Sequence, residues 1–216
     1  MWRKAQKSGG EGQKTVVLGC AIAYNYFQSI LHDSPASSSS FAPCRTLFEI
    51  VCSVACLAQK PGELQDFLDF GRMMEEDLGK AFGQAADPAI RQVRSRLRKK
   101  WSTKHGGKKF EKRRLPAWHG YTSSKELARE LGFRDTGVNQ FYALSSEATH
   151  GESVVTLAAF RNQPLVVEHL TEAVPLALGM ILCLQETVNS ALRYGLDSDL
   201  AGAKDELQHT LAQSKP

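Results

Sequence analysis

Tyr142, Ser146 and His150 follow one another at intervals of four residues in a segment with helical periodicity. Residues four apart lie on one face of an α-helix, so the three side chains are predicted to form one polar stripe. Arg45 and Glu49 have the same spacing on an earlier, largely apolar helix. These residue types suit metal-independent cleavage of RNA, in which a histidine transfers a proton and an arginine stabilises the extra charge on phosphorus.

In this hypothesis His150 transfers the proton of the 2′-hydroxyl or of the leaving group, and Arg45 stabilises the extra negative charge on the phosphorus. Glu49 orients either of them, while Tyr142 or Ser146 donates a hydrogen bond to a phosphate oxygen. The alternative is structural: an Arg45–Glu49 ion pair packs against the tyrosine, serine and histidine as a satisfied polar network, because buried polar groups require partners. Both interpretations stay open, since the sequence does not show whether the two helices face each other.

A basic segment spans residues 91–114, which hold 12 of the 27 lysines and arginines and one acidic residue, Glu111. Its formal charge is +11 and that of the rest is −7, although the whole chain is only +4. Such asymmetry is typical of a local surface that faces a polyanion, here RNA above all, although an ordinary solvated helix face is the alternative. Trp101, Phe110 and Trp118 are predicted to stack on unpaired bases. The predicted nucleic-acid-binding residues are Arg94, Arg98, Lys99, Lys100, Lys108, Lys109, Arg113 and Arg114.

Helical periodicity dominates the chain, and no alternating strand pattern of useful length appears. The clearest amphipathic helix places Ile90, Val93, Leu97 and Trp101 on one stripe, and Gly106 and the next glycine end it. The predicted fold class is therefore all-α, a single helical bundle of about six to eight helices. The predicted organisation is a disordered tail at 1–14, the bundle at 15–195 and a polar tail at 196–216.

Composition excludes several classes of protein. With 42% hydrophobic and 23% charged residues, the chain is not disordered throughout. Five cysteines, an odd number, indicate reduced thiols and a cytoplasmic location. Cys52 and Cys56 lie one helical turn apart without a further ligand motif, so buried thiols are expected, with no metal and no cofactor. The apolar run 173–184 is shorter than the ~20 residues that span a bilayer, so no membrane partner is predicted.

Residues 124–143 have the apolar spacing of a helix-turn-helix, with Ala128 and Gly132 at the contact between the two helices. In that case Thr136, Asn139 and Gln140 face DNA bases. The same spacing arises from any two packed helices. A non-enzymatic module that binds DNA or a regulatory partner is therefore the alternative to an RNA-engaging protein, and homo-oligomerisation is open for both.

Around the residues named first, the chain resembles a bacterial family of helical proteins catalogued as a domain of unknown function. The resemblance covers roughly residues 40–195 and implies an all-helical fold, but it supplies no activity. The matching features are Arg45-Thr-Leu-Phe-Glu49, Trp118 before a short helix that ends Glu130-Leu-Gly132, and Phe141-Tyr-Ala-Leu-Ser-Ser-Glu-Ala-Thr-His150.

A looser similarity is to HEPN-type helical nucleases and defence toxins, whose site is an arginine, a polar residue and a histidine a few residues further on. Arg98, Lys99 and His105 have such a spacing, although they cross the predicted end of a helix. This similarity implies RNA cleavage in a toxin or phage-defence setting.

Overall fold

The computed structural model describes residues 10–32, 41–83, 85, 87–108, 117–133 and 165–213. These residues form seven α-helices and one 3-10 turn with no strand among them, which confirms the all-α prediction. None of the described helices is both long and apolar enough to cross a bilayer. The helices are α1 (Glu11–His32), α2 (Phe41–Gln59), α3 (Leu64–Ala81), α4 (Pro88–Lys104), α5 (Ser124–Glu130), α6 (Leu165–Leu192) and α7 (Asp197–Gln213), and the 3-10 turn Pro61–Glu63 precedes α3.

The chain divides into two compact units. Unit 1 combines residues 1–59 with residues 128–216, and unit 2 consists of residues 60–127. Unit 2 therefore begins where α2 has ended, and the chain returns to unit 1 within α5. The predicted bundle at 15–195 includes parts of both units.

Unit 1 is built on α1, α2 and α6, which pack on one another, and α7 packs on α6. The core face of α2 is completely buried at Leu47, Phe48 and Val51. Gly19 lies where α1 meets α2, because a Cβ atom there would be 2.3 Å from Cγ2 of Val54. The absence of a side chain at this position is what allows the two helices to approach so closely.

The start of α1 differs from the prediction, because residues 11–14 of the expected disordered tail are helical. Nε2 of Gln13 donates a hydrogen bond to the hydroxyl of Tyr194 at 2.9 Å, and this contact anchors the first turn. The partner is 181 residues away in the sequence. Local periodicity therefore gave no sign of it.

The C-terminal segment also differs from the prediction, because α7 occupies most of the expected polar tail. Buried Asn189 organises the connection to α7: its side chain donates to Asp197 at 3.1 Å and accepts the N–H of Leu196 at 3.0 Å. Leu200 is buried and ties the first turns of α7 to the unit. Lys204 of α7 also forms an ion pair with Glu186 of α6, so polar and apolar contacts together hold this helix to the unit.

Unit 2 is built on the antiparallel pair of α3 and α4. Met73, Ile90 and Leu97 form its apolar core, and Phe70 and Val93 pack against them. Three of the four residues of the predicted inward stripe of the basic helix therefore face this core, whereas Trp101 is not part of it. The Asp87 carboxylate accepts the N–H of Ala89 at 2.8 Å and caps the start of α4. The helix ends, as predicted, at the two glycines that follow His105.

Replacing Gly19 by alanine tests the close approach of α1 and α2. We expect a loss of roughly 1–3 kcal/mol in the free energy of unfolding, because the new methyl group must displace Val54 or the backbone. Gly202 of α7 is the matched control, since a Cβ atom there meets nothing within 4 Å. Gly202→Ala should leave stability unchanged or raise it by up to about 1 kcal/mol. Equal effects of both substitutions in urea unfolding would contradict this packing.

Candidate nucleic-acid interface

One side of α4 is paired with carboxylates of α3 and of the preceding 3-10 turn. Arg96 contacts Asp66 at 3.0 Å and Asp69 at 2.5 Å. Lys100 contacts Asp66 at 2.6 Å and also reaches Glu63. The hydrogen bond from Arg96 lowers the pKa of the Asp69 carboxyl, and the same bond raises the pKa of the guanidinium. Asp69 is buried, and its charge is tolerated because Arg96 and Gln65 donate hydrogen bonds to it.

Arg94 makes a second group of ion pairs nearer the start of α4. It contacts Asp77 and, at 3.4 Å, Glu76. Glu76 also pairs with Lys80 at 2.9 Å and accepts the N–H of Asp87 at 3.0 Å. Hydrogen bonds from Lys80 and then Arg94 lower the pKa of the Glu76 carboxyl. Of the predicted nucleic-acid-binding residues, Arg94 here and Lys100 in the first group are therefore held by carboxylates.

The other side of α4 carries hydrogen-bond donors that no carboxylate holds. Five residues recur on this side at alternating intervals of four and three, so they lie along one line of the helix. We call them the donor stripe: Arg91, Ser95, Arg98, Ser102 and His105. Within the residues that the structure describes, Arg91, Arg98 and the neighbouring exposed Lys99 form no ion pair. At a rise of 1.5 Å per residue the stripe is about 21 Å long.

Two atoms of the donor stripe are buried without a partner. Nε of Arg98 and Nε2 of His105 have no hydrogen bond in the part of the chain that the structure describes. Ring nitrogens and guanidinium groups in native proteins normally find partners when water cannot reach them. Both atoms are closed off from water in this conformation, so an external acceptor would reach them only after their side chains rotate outward.

The aromatic residues near α4 fall into two groups. Trp101 is half-buried and stacks on the His105 ring, with the ring centroids 4.2 Å apart. Trp118 is 4% exposed, because it packs edge-to-face on Phe67 of α3 at 5.3 Å. The prediction that Trp118 stacks on bases is therefore wrong, whereas Trp101 retains an accessible edge. Phe110 lies outside the described residues.

A loop at residues 117–123 is fastened to the end of α4 by Lys104. The Lys104 ammonium donates to the carbonyl of His119 at 2.7 Å and lies 3.8 Å from the centre of the Tyr121 ring. Nδ1 of His119 accepts the N–H of Tyr121 at 3.1 Å. Burial, followed by the charges of Lys104 and Lys100, lowers the pKa of His119 to about 4. The imidazole is therefore neutral at pH 7, with its proton on Nε2.

Arg45 and Glu49, from the predicted catalytic group, form the expected ion pair on α2, with Nε and Oε1 2.7 Å apart. Their side chains are 23% and 48% exposed, so the pair lies at the surface of α2 rather than deep in the core. Tyr142, Ser146 and His150 lie outside the described residues. Those three positions therefore remain predictions.

The first half of the predicted helix-turn-helix is described. Oγ of Ser123 accepts the N–H of Glu126 at 3.2 Å, and the Glu126 carboxylate accepts the N–H of Thr122 at 2.7 Å, which fixes the start of α5. Gly132 then adopts a positive φ. The base-contacting candidates, and three of the predicted basic residues, lie outside the described residues: Thr136, Asn139, Gln140, Lys109, Arg113 and Arg114.

The cysteines are free thiols, and three of them are buried. Burial raises the pKa of the Cys44 thiol to about 12. The pKa of Cys52 is also raised, first by burial and then by Glu49 and Cys56. The prediction of buried thiols at Cys52 and Cys56 is confirmed. Over the described ranges, no three side chains of the metal-binding types come together.

No protein-family model matches the chain, and no curated protein or solved structure matches it either. The two resemblances noted in the sequence therefore stay predictions. The function has to be argued from the geometry of α4 and its neighbours.

The low pKa of His119 makes stability depend on pH in a defined window. Between pH 6.5 and about 4 the unfolded chain binds a proton at this residue and the folded chain does not. The free energy of unfolding should therefore fall as the pH drops through this window, by on the order of 3 kcal/mol. His119→Asn keeps an acceptor for Tyr121 and should remove this part of the pH dependence.

The measurement is urea unfolding followed by tryptophan fluorescence, which reports on Trp101 and Trp118 of unit 2. The stability of the wild type relative to His119→Asn should fall as the pH is lowered from 7 to 4.5, so an advantage of the wild type at pH 7 shrinks or reverses. A constant difference over this range would show that His119 is protonated in the folded state and would contradict its burial.

Proposed function

We propose that the protein binds single-stranded RNA along the donor stripe of α4 and the adjacent Lys99. The observation that carries this proposal is the division of the basic residues of α4 into two groups. Carboxylates of α3 and its preceding turn hold Arg94, Arg96 and Lys100. Arg91, Arg98 and Lys99 have no such partner among the described residues.

Electrostatics favours a polyanion as the ligand of this surface. Unit 2 has 16 basic and nine acidic residues, a formal charge of +7. Its acidic residues do not neutralise its basic ones, and residues 108–114, which begin with the exposed Lys108, contribute +4 of this surplus. Phosphates that meet such a surface release their condensed counterions, which is the main source of affinity in sequence-independent nucleic-acid binding.

Hydrogen bonding favours phosphate oxygens in particular. A buried donor or acceptor without a partner costs about 1–3 kcal/mol, so rotation of the Arg98 and His105 side chains toward a ligand that supplies acceptors would recover part of that free energy. Guanidinium groups bind phosphate oxygens through directional, charge-assisted bonds. The 21 Å estimated for the stripe accommodates several consecutive phosphates of an extended strand.

The stacked pair of Trp101 and His105 favours a single strand over a duplex. Unpaired bases stack on exposed aromatic rings with about 1–3 kcal/mol per base, whereas the bases of a duplex are already stacked. The pair lies at the end of the stripe, so a base can reach it while its phosphate contacts Arg98. Duplex DNA bound through residues 124–143 is the alternative and is an outcome of the competition experiment. RNA cleavage by His150 stays a prediction from the sequence.

The double substitution Arg98→Gln and Lys99→Gln tests the proposal. We expect affinity for a fluorescein-labelled 12-nucleotide oligouridine to fall about tenfold or more, because two charged contacts are lost. The slope of log affinity against log salt should become shallower by about 1–2. Fluorescence anisotropy at several salt concentrations measures both quantities, with unlabelled duplex DNA as competitor.

The matched control is Lys14→Gln with Arg193→Gln, which removes the same charge from two exposed residues of unit 1. This control should lose little affinity and keep the wild-type salt slope. An equal loss in both double variants would show that only net charge matters. Displacement by duplex DNA at a lower concentration than by unlabelled oligouridine would favour the alternative.

A further inference from the structure

We infer that the carboxylates facing α4 compete with RNA phosphates for Arg96 and Lys100, so that this side of α4 is a covered second half of the binding surface. The inference rests on the proposed function and deepens it. The competing carboxylates are those of Glu63, Asp66 and Asp69, which follow one another at intervals of three residues. They form a row of anionic oxygens alongside a basic helix, as a nucleic-acid strand does.

The pairs differ in how readily they can be exchanged. Arg96 is 48% exposed, and Lys100, Asp66 and Glu63 are each about one-fifth exposed. Water therefore reaches these side chains, and ion pairs at such positions are weak. A phosphate can replace the carboxylate by rotation of the arginine or lysine side chain, without separating the two helices.

The apolar contact between α3 and α4 supports the exchange of carboxylates for phosphates at Arg96 and Lys100. Met73, Ile90 and Leu97 hold α3 and α4 together without help from the charges. Arg96 and Lys100 flank Leu97, which is completely buried, so the backbone of α4 stays in place when their side chains move. Arg94 is as exposed as Lys100, at 19%, but it shares its two carboxylates with Lys80 and with the N–H of Asp87, so it remains bound to α3.

Asp66 is the central competitor, because it contacts both cations. Its carboxylate lies 3.0 Å from Arg96 and 2.6 Å from Lys100. Asp69 is buried and also receives a hydrogen bond from Gln65, which keeps it in place. Removal of the charge at residue 66 leaves Arg96 with Asp69 and Lys100 with Glu63 as their remaining carboxylates, so both cations should become more available to phosphate.

The test compares Asp66→Asn with Glu75→Gln in the oligouridine binding assay. Both substitutions remove one negative charge from α3, but Glu75 is exposed and pairs with no described residue. Asp66→Asn should bind about three- to tenfold more tightly than the wild type, with a salt slope steeper by about 1–2, because both cations lose one of their two carboxylate partners. Glu75→Gln should keep the wild-type slope and gain less.

Glu63→Gln is a second variant, placed in the exposed 3-10 turn where folding depends on it least. It removes one of the two carboxylates that contact Lys100 and leaves the partners of Arg96 intact, so it should steepen the slope by about 1 at most, less than Asp66→Asn does. Circular dichroism confirms that each variant is helical. Equal gains for Asp66→Asn and Glu75→Gln, or no change in slope, would overturn the inference while leaving RNA binding intact. If the wild type does not bind oligouridine at all, the proposed function fails and this inference fails with it.

Discussion

The orientation of α4 about its own axis is the constraint on which the candidate interface depends. Met73 of α3 packs against Ile90 and Leu97, and this contact fixes which side of α4 faces inward. Ion pairs then form on the two flanks of the contact, through Arg94 on one and Arg96 on the other. The remaining side chains are necessarily turned away from α3. An apolar contact of three residues thus separates the basic residues of α4 that pair with carboxylates of α3 from those that are turned away from α3.

This division changes the meaning of the basic segment. By composition, residues 91–114 are a single patch of charge +11. In the structure, part of that charge is paired with carboxylates of α3 and its preceding turn, and Lys104 fastens the loop that contains neutral His119. What is left for a ligand is a narrower and more ordered feature, a line of donors that ends in an aromatic pair.

Much of α4 could be predicted from the sequence because its determinants are local. The apolar stripe, the capping aspartate before Pro88 and the two terminal glycines all lie within the helix or next to it. The Arg45–Glu49 pair was predictable for the same reason, since its residues are one turn apart. The alternating spacing of the donor stripe was also present in the sequence. It can be recognised as a site only when the structure shows that other basic residues of α4 pair with carboxylates of α3.

The errors have the opposite character, because they concern partners distant in the sequence. Trp118 was expected to meet bases and is instead covered by Phe67, which the chain places 51 residues earlier. The carboxylates that hold Arg96 are 27 and 30 residues away. No short-range pattern in the sequence predicts that the acidic residues of a neighbouring helix face the basic residues of α4. Composition therefore overstated the charge that is available to a ligand.

The most direct test of the central claim is to observe individual arginine Nε–H groups by nuclear magnetic resonance while oligouridine is added. The account predicts that the Arg98 resonance shifts and gains protection from exchange, whereas the Arg94 resonance, already held by Glu76 and Asp77, stays where it is. A shift at Arg94 with none at Arg98 would contradict the assignment of the two sides of α4.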